Sequence, residues 1–453
     1  MVIRSNLCLL FMLLFGACEA LPLQEVASQA TLLSGGREGL LQARRHEPNV
    51  SIPVLDTAAE MKSRRMRLAA EIGEGVVWVE CGSGSDLDRY FQEDDFYYLT
   101  GVEIPNIAFG MKVDEKGKIV DEVLLLPPHD SNYELWNGHR LSPGREAAIE
   151  TGFMRTLALT PVSGSSQEGA SLRFIAMDPV LDTWDPKIIH SLATPSIALP
   201  DGVKLDTKNL AHALITLRMV KSDYEIDCIK AAIDITCAAI RNALYEIRPG
   251  AWEYQVQGAI EGTFLRLGAQ RTGFASICGS GANTTTLHYN ANRQQMESGD
   301  LVVMDVGAKV SYYTADVTRT VPVSGSFTKR QREIYDIVLG AQHAAEVAAK
   351  PGMTLRDLDR VARQYITKRG YGPYFKHGLG HWIGMNVHDV GHPGAPIEPG
   401  CLFTIEPGIY ISEENLGIRI EDDYLMTHEG AVKLSSSTPS DPDAIESMMT
   451  DAH

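Results

Sequence analysis

Two stretches of the chain are apolar-rich runs of strand character, broken by short polar segments. Residues 301–323 read LVVMDVGAKVSYYTADVTRTVPV and residues 401–426 read CLFTIEPGIYISEENLGIRIEDDYLM. Both are rich in Val, Ile, Tyr and Thr, and each predicts two strands joined by a turn. Helical periodicity precedes each of them. A helix is expected over Asp223–Ile247, with Ser222 and Glu225 forming a capping box and Pro249–Gly250 stopping it. A second fits Lys329–Ala349, ended by Pro351–Gly352, and a third fits Leu355–Arg369 behind a Thr354/Asp357 box. The C-terminal half therefore reads helix, strands, helix, strands. That order suggests an internal duplication, although no residue-by-residue repeat is visible.

The first half has a different rhythm. An Arg-rich helical pattern runs from Ala58 to Ile72, followed by strand-like Val76–Val79, Phe96–Thr100, Ile107–Val113 and Val120–Leu126. Strands alternating with helical stretches predict an α/β domain of about 150 residues. Segment 181–206 carries Pro186, Pro195 and Pro200 and shifts in composition, which places a boundary there. With 453 residues, two domains are expected, over 51–200 and 201–436. The Ser/Pro/Asp-rich end, 437–453, reads as a disordered tail, and 21–50 as a flexible leader.

Residues 1–20 read as an export signal. Arg4 supplies the positive start, and Leu7–Phe15 is an apolar core too short to span a bilayer. Cleavage after Ala20 makes the protein periplasmic or secreted. Lipid attachment at Cys18 is the alternative, disfavoured because Phe15 is unusual three residues before such a cysteine. No later segment has an apolar run long enough to span a membrane. The formal net charge of −17 leaves no basic excess for nucleic acid. Seven cysteines do not make a disulfide framework: Cys8 and Cys18 fall in the signal, and the scattered Cys81, Cys228, Cys237, Cys278 and Cys401, without a C-x-x-C pair, read as buried small residues.

Chemistry enters with four carboxylates. Asp305 and Asp316 are equidistant from a point between Val310 and Ser311, and Glu406 and Glu421 from a point between Glu413 and Glu414. If the turns lie there, each pair is directly cross-strand, with Cβ atoms roughly 4.5–5.5 Å apart. Like charges so placed destabilise a sheet, and the natural remedy is a cation. Ordinary solvent faces fit poorly, because Asp305 is flanked by Val303, Met304 and Val306, and Glu406 by Ile405 and Pro407. Four hard oxygen donors suit two divalent ions and hydrolytic chemistry.

Segment 376–392, KHGLGHWIGMNVHDVGH, gathers His377, His381, His388 and His392. The spacing of His377 and His381 matches a helical zinc pair, but the intervening Gly378 and Gly380 and the lack of a following Glu rule that out. An irregular loop can aim one histidine at a metal and leave others for proton transfer. His288, after GSGANTTT, is either a site residue or a surface-loop residue. Arg419 shares a strand face with Glu421, as an ion pair or a substrate contact. Asp389 either orients an imidazole or sits in a turn.

Together these residues resemble the pita-bread metallopeptidases, the family of aminopeptidase P, prolidase and methionine aminopeptidase. MDVGA, ADVTRT, HGLGHWIGMNVHDVG, TIEPGIY and IRIED occur in order, and the resemblance runs from about Ile52 to Leu434. FQEDDFYYLTG (91–101) and ELWNGHRL (134–141) look like the N-terminal domain of aminopeptidase P. The implied fold is α/β (α+β), an N-terminal α/β domain plus a C-terminal domain with a curved antiparallel sheet and flanking helices.

The resemblance also implies a ligand set. Asp305 would bind one metal, Asp316 and Glu421 would bridge two, and His381 and Glu406 would complete the second. Two Mn²⁺ ions are expected, with Co²⁺ or Zn²⁺ as alternatives. His288, His377 and His388 match substrate-contacting and intermediate-stabilising histidines, and Arg419 matches a position beside the bridging glutamate. The implied reaction is attack of a metal-bridging hydroxide on the bond before a penultimate proline, with Glu406 shuttling the proton and His388 stabilising the oxyanion. The implied partners are peptides with proline in the second position, and a homo-oligomer is expected. Gly380 departs from some aminopeptidase P sequences, which have Ser, and leaves an Xaa-Pro dipeptidase as the alternative. A non-catalytic peptide- or partner-binding module is the rival of another class, disfavoured because all five ligand positions are filled.

Overall fold

A computed structural model describes residues 50–54, 57–84, 89–159 and 177–452. The expected signal, the Cys18 alternative and the leader up to residue 49 lie outside them. Residues Val50–Asp451 pack as one compact unit. Its first part comprises α1 (Thr57–Ile72), β1 (Gly75–Glu80), α2 (Asp94–Thr100), β2 (Ala108–Val113), β3 (Ile119–Leu126), α3 (Ser131–Asn137), α4 (Arg145–Thr151), β4 (Arg155–Ala158), α5 (Asp178–Trp184), β5 (Ile188–Ser191) and β6 (Lys204–Asp206). The strands form one mixed sheet in the order β4-β3-β2-β1-β5-β6. The Arg-rich character of α1 is structural. Arg65 is buried, ion-pairs with Glu122 on β3 at 2.8 Å and donates to the carbonyls of Leu99 and Gly152.

The predicted strand over Phe96–Thr100 is instead helix α2. A short apolar run does not separate helix from strand by periodicity. Its ends decide: Asp94 and Asp95 lie at the positive helix start, and Gly101, at φ 67°, closes the helix by donating to Tyr97 O.

The second part continues with α6 (Asn209–Met219), α7 (Asp223–Ala243), α8 (Glu253–Arg266), β7 (Arg271–Thr272), β8 (Ile277–Ser280), β9 (Leu301–Val306), β10 (Ala308–Val310), β11 (Tyr313–Thr314), β12 (Val317–Pro322), α9 (Lys329–Ala348), α10 (Leu355–Thr367), β13 (Leu402–Ile405), β14 (Gly408–Ile411), β15 (Leu416–Arg419), β16 (Asp422–Thr427), β17 (Gly430–Lys433) and α11 (Pro442–Ala452). Both expected capping boxes form, at Ser222/Glu225 and Thr354/Asp357. A further helix, α8, follows α7, so each carboxylate-bearing hairpin comes after a pair of helices. The hairpins belong to short antiparallel sheets: β11-β10-β7, β12-β9-β8, β13-β16-β17 and β14-β15. A bridge between Thr318 and Glu421 joins the two hairpins.

The second hairpin has the expected register. Gly408 pairs with Arg419 and Ile405 with Asp422, which sets Glu406 opposite Glu421 about the Ser412–Asn415 turn. The first hairpin is shifted. Asp305 pairs with Thr318, Val310 with Tyr313, and the turn is Ser311–Tyr312. Asp316 is therefore diagonal to Asp305, on the same face but two positions along. Ser311 and Tyr312 both have positive φ, 46° and 72°, as a two-residue hairpin turn requires. Neither is Gly or Asn, so the pattern does not mark them. Tertiary contacts hold Tyr312 there instead: its ring stacks on Tyr97, its OH accepts from Gln92 N–H, and its N–H donates to Gln270 Oε1.

The end of the chain is ordered, contrary to the disordered tail expected over 437–453. Buried Arg319 donates to the carbonyls of Thr438 and Pro439, and α11 buries Ile445 and Met449, one helical turn apart. The polar composition hides this because main-chain carbonyls, rather than apolar side chains, make the first contacts.

Candidate active site

The two hairpins place three acids in one row across the strands. Asp305 faces Thr318, Thr318 bridges to Glu421, and Glu421 faces Glu406. Asp316 sits two residues before Thr318, where the strand breaks between β11 and β12. Thr318 fills the one non-acidic place in the row, and its hydroxyl donates to Glu421 Oε2 at 2.7 Å.

His381 closes this group from the loop after α10. Residues 379–383 run beside β13, with Thr404 N–H donating to His381 O and Glu406 N–H to Leu379 O. The Nδ1 of His381 lies 3.0 Å from Trp382 O, a contact that needs the proton on Nδ1 and frees the Nε2 lone pair. That Nε2 is 3.3 Å from Asp316, 3.6 Å from Glu406 and 4.0 Å from Glu421. Ligand atoms of Asp316, His381 and Glu421 all lie within 4.8 Å of one another.

These groups fit a cation. Asp305 Oδ1, Asp316 Oδ1 and Glu421 Oε1 are buried oxygens with no hydrogen-bond partner, which is costly unless another charge satisfies them. Burial, then the charge of Asp305, holds the Asp316 carboxyl well above the usual range; burial, then Asp316, does the same to Glu421. Glu406 is pushed up to about 7 by burial and Asp305, although His381 and Arg419 pull it down. Oxygen donors with one imidazole suit a divalent cation.

Of the residues singled out from the sequence, all but His392 and Asp389 line one cleft of about 510 Å³, shared with Phe274, Ile277, Leu287, Asn290 and Val387. His288 belongs to an exposed loop, and that loop forms a wall of the cleft. His377 is pinned by Tyr410 OH and Gly378 O, each at 2.8 Å. Burial and then Arg419 push its pKa down to about 4, so it is neutral at pH 7. Burial and then the neighbouring His381 also lower His388, whose ring meets that of His381 edge-on at 4.3 Å. His392 leaves the group and packs on His212, with Nε2 2.9 Å from Thr216 Oγ1.

Arg419 does not pair with Glu421. Its guanidinium ion-pairs with Asp305 at 2.6 Å and donates to Tyr410 OH. Asp389 orients no imidazole. It is buried against Arg218 at 2.6 Å and Lys221 at 3.4 Å. Arg218 also binds Asp95 at 2.7 Å, so the FQEDDFYYLTG segment braces the loop that carries His388.

Sequence reasoning passed over three supporting side chains. Thr318 and Tyr410 lie two and four residues after Asp316 and Glu406, so strand alternation could have placed them on the ligand faces. Asp423 is buried and accepts from Asp316 N–H at 3.0 Å. Its position beside two other acids gave no signal of its own.

Comparison with known proteins identifies the family. Residues 227–428 match Metallopeptidase family M24, and residues 61–160 match the aminopeptidase P N-terminal domain. The chain is 33% identical to the Xaa-Pro aminopeptidase of Escherichia coli over 404 residues, covering 80% of this chain and 90% of that one. It is 41% identical to the Xaa-Pro dipeptidase of Pyrococcus furiosus, but over 234 residues, 51% of this chain and 67% of the other. The solved structure of proline aminopeptidase P II from Yersinia pestis superposes with a TM-score of 0.75 at 30% identity, covering 87% of this chain and 99% of that one. The paired helices and antiparallel hairpins are those of the pita-bread fold, behind an N-terminal α/β part. The chain therefore belongs to metallopeptidase family M24, as a member of its aminopeptidase P group.

Proposed function

We propose that this protein is a metal-dependent Xaa-Pro aminopeptidase, which releases the first residue from peptides with proline in the second position. The observation that carries this reading is the complete acid–histidine set, Asp305, Asp316, His381, Glu406 and Glu421, lining one cleft with His288, His377 and His388. Proline specificity is supported by likeness to the Escherichia coli Xaa-Pro aminopeptidase, which extends through the N-terminal part.

Two ions are the reading the donor set favours, and Asp305, Asp316, His381, Glu406 and Glu421 would hold them. When bound, they would activate water and polarise the scissile carbonyl. The residues have the remaining tasks. The imide nitrogen before the break carries no hydrogen, so it must receive a proton as it leaves. Glu406, which lines the cleft 3.7 Å from His377 and 3.6 Å from His381, is placed for that transfer. His388, neutral and at the cleft wall, can donate an N–H to the developing oxyanion. His288 and His377 would hold the peptide, and Arg419 would hold Asp305 in orientation.

The decisive experiment loads the purified protein with Mn²⁺ and assays Xaa-Pro-Xaa tripeptides beside Xaa-Pro dipeptides. Release of the free first residue from the tripeptide is expected. Cleavage of dipeptides alone would favour the dipeptidase reading, to which the 41% identity to the Pyrococcus enzyme lends support. A protein that binds no divalent ion under any loading condition overturns both. Mn²⁺ is the expected native ion, ahead of Co²⁺ and Zn²⁺, and metal analysis of protein purified without additions checks it.

Export is proposed from the apolar run at Leu7–Phe15, and mass spectrometry of the mature N-terminus, starting at Leu21, tests it. A homo-oligomer is proposed as well. The exposed Leu135 and Trp136 on α3 support it, and light scattering measures it.

A further inference from the structure

We propose that Glu253 is a positioning residue for the substrate-side wall of the cleft, acting through the loop that carries His288. The inference rests on the peptidase reading above and goes further, to a side chain that does not itself line the cleft.

Glu253 is the first residue of α8 and is 0% exposed. A buried carboxylate needs either a cation or a full set of donors. Glu253 has donors only. Its Oε1 accepts from Ser280 N–H at 2.7 Å, Ser280 Oγ–H at 2.8 Å and Asn283 Nδ2 at 3.1 Å. Its Oε2 accepts from Tyr289 O–H and Gln294 N–H, both at 2.8 Å. The start of the helix adds favourable dipole potential for the negative charge.

These five donors come from both ends of one loop. Ser280 and Asn283 lie before His288, Tyr289 lies directly after it, and Gln294 closes the segment. Between those ties stand Leu287, His288 and Asn290, which line the cleft. Main-chain pairing reinforces the closure, since Glu253 N–H donates back to Gln294 O at 3.0 Å. One carboxylate thus gathers the loop into a ring and presents His288 at its far side. The GSGAN glycines fit this arrangement: a Cβ on Gly281 (φ 52°) would meet Asp300 at 2.9 Å, and one on Gly279 would meet Asn283 O at 3.1 Å.

Charge is essential because all five partners donate. In Glu253→Gln, the amide nitrogen must face donors wherever it is placed. Facing Oε2's partners is least harmful, because the Tyr289 hydroxyl can turn to accept, but Gln294 N–H is then left without a partner. Tyr289→Phe is the milder variant, removing only the tie next to His288.

The test has two arms. Hydrogen exchange of residues 280–294, measured without substrate, is expected to speed up in Glu253→Gln while the remaining helices keep their protection. In the metal-loaded enzyme, kcat/KM is expected to fall by between about 10- and 100-fold in Glu253→Gln, and less in Tyr289→Phe, the scale of loss that misplacing a group by an ångström produces. Repeated in a His288→Ala background, each substitution should change kcat/KM by less than about two-fold, because its effect passes through His288. Equal losses in both backgrounds, or unchanged exchange in the loop, overturn the inference. If Glu253→Gln does not fold, Tyr289→Phe decides by the same criteria. A wild-type protein that cleaves no Xaa-Pro peptide overturns the proposed function instead, and the exchange arm tells the two failures apart.

Discussion

Arg419 reaches across the joined hairpins and places its guanidinium 2.6 Å from Asp305 Oδ2. Asp305 Oδ1 is left as a buried oxygen without a hydrogen-bond partner. One oxygen is thus committed to the protein and the other is available to an ion. The same guanidinium touches Tyr410 OH, which pins His377, so a single cation links the acid row to the histidine wall.

Arg419→Ala should therefore damage both. Removing one partner of a buried pair destabilises by about 3–5 kcal/mol. A drop in Tm and loss of turnover are expected, with partial recovery in Arg419→Lys, which restores charge but not the fork that reaches both Asp305 and Tyr410. Unchanged melting in Arg419→Ala refutes the linking role.

Asp316→Asn separates metal binding from folding. Asp316 lies among Asp305, Asp423 and Glu406, whose charges add to burial in raising its pKa. A neutral isostere relieves that repulsion. Activity should fall beyond about 100-fold while the metal-free protein melts at the same or a higher temperature. Near-normal turnover with a full metal complement would remove Asp316 from the ligand set.

Gly380 and Gly378 flank the same turn of chain but differ in space. A Cβ at 380 would meet Thr404 O at 2.1 Å, whereas one at 378 has no neighbour within 4 Å. The close approach follows from His381 pairing with Thr404. Gly380→Ser should cost about 1–3 kcal/mol by overpacking and displace His381, lowering metal occupancy. Gly378→Ala should be tolerated. Glycine at 380 is thereby a packing requirement here and says nothing about substrate length.

Metal-free protein should lose stability as pH rises. Burial is the largest cause that lifts Glu406 from 4.5 to about 7 in the fold. A carboxyl raised on folding holds its proton more tightly in the native state. Its contribution is complete below about 4.5 and is lost as pH climbs through about 7. For Glu406 alone this amounts to on the order of 3 kcal/mol, and Asp316 and Glu421 shift in the same direction. Chelated protein should melt progressively lower between about pH 5 and pH 8, and Mn²⁺ should restore most where the loss is greatest. A flat melting profile across that range contradicts the placement of these acids.

The acids and histidines were legible because their chemistry is conspicuous: carboxylates set among apolar neighbours, and histidines clustered among glycines. The second hairpin was legible to the residue, since its turn is a polar run centred between Glu406 and Glu421. The first hairpin was not, because Ser311 and Tyr312 occupy left-handed backbone without the glycine that announces it. Asp389 was visible, but its partners Arg218 and Lys221 are far from it along the chain, so its structural role was not.

By itself, then, the sequence determined which side chains can serve as ligands, where the helices are capped, and that two acidic hairpins follow two helical blocks. These are local properties, set within a few residues by alternation, capping and turn chemistry. Only the tertiary structure decided the register that puts Thr318 rather than Asp316 opposite Asp305. The same holds for the pairing of Arg419 with Asp305, the helix formed by Phe96–Thr100 and the ordered C-terminal helix. Each of those rests on contacts between distant segments, made by buried groups that must find a partner once water is gone.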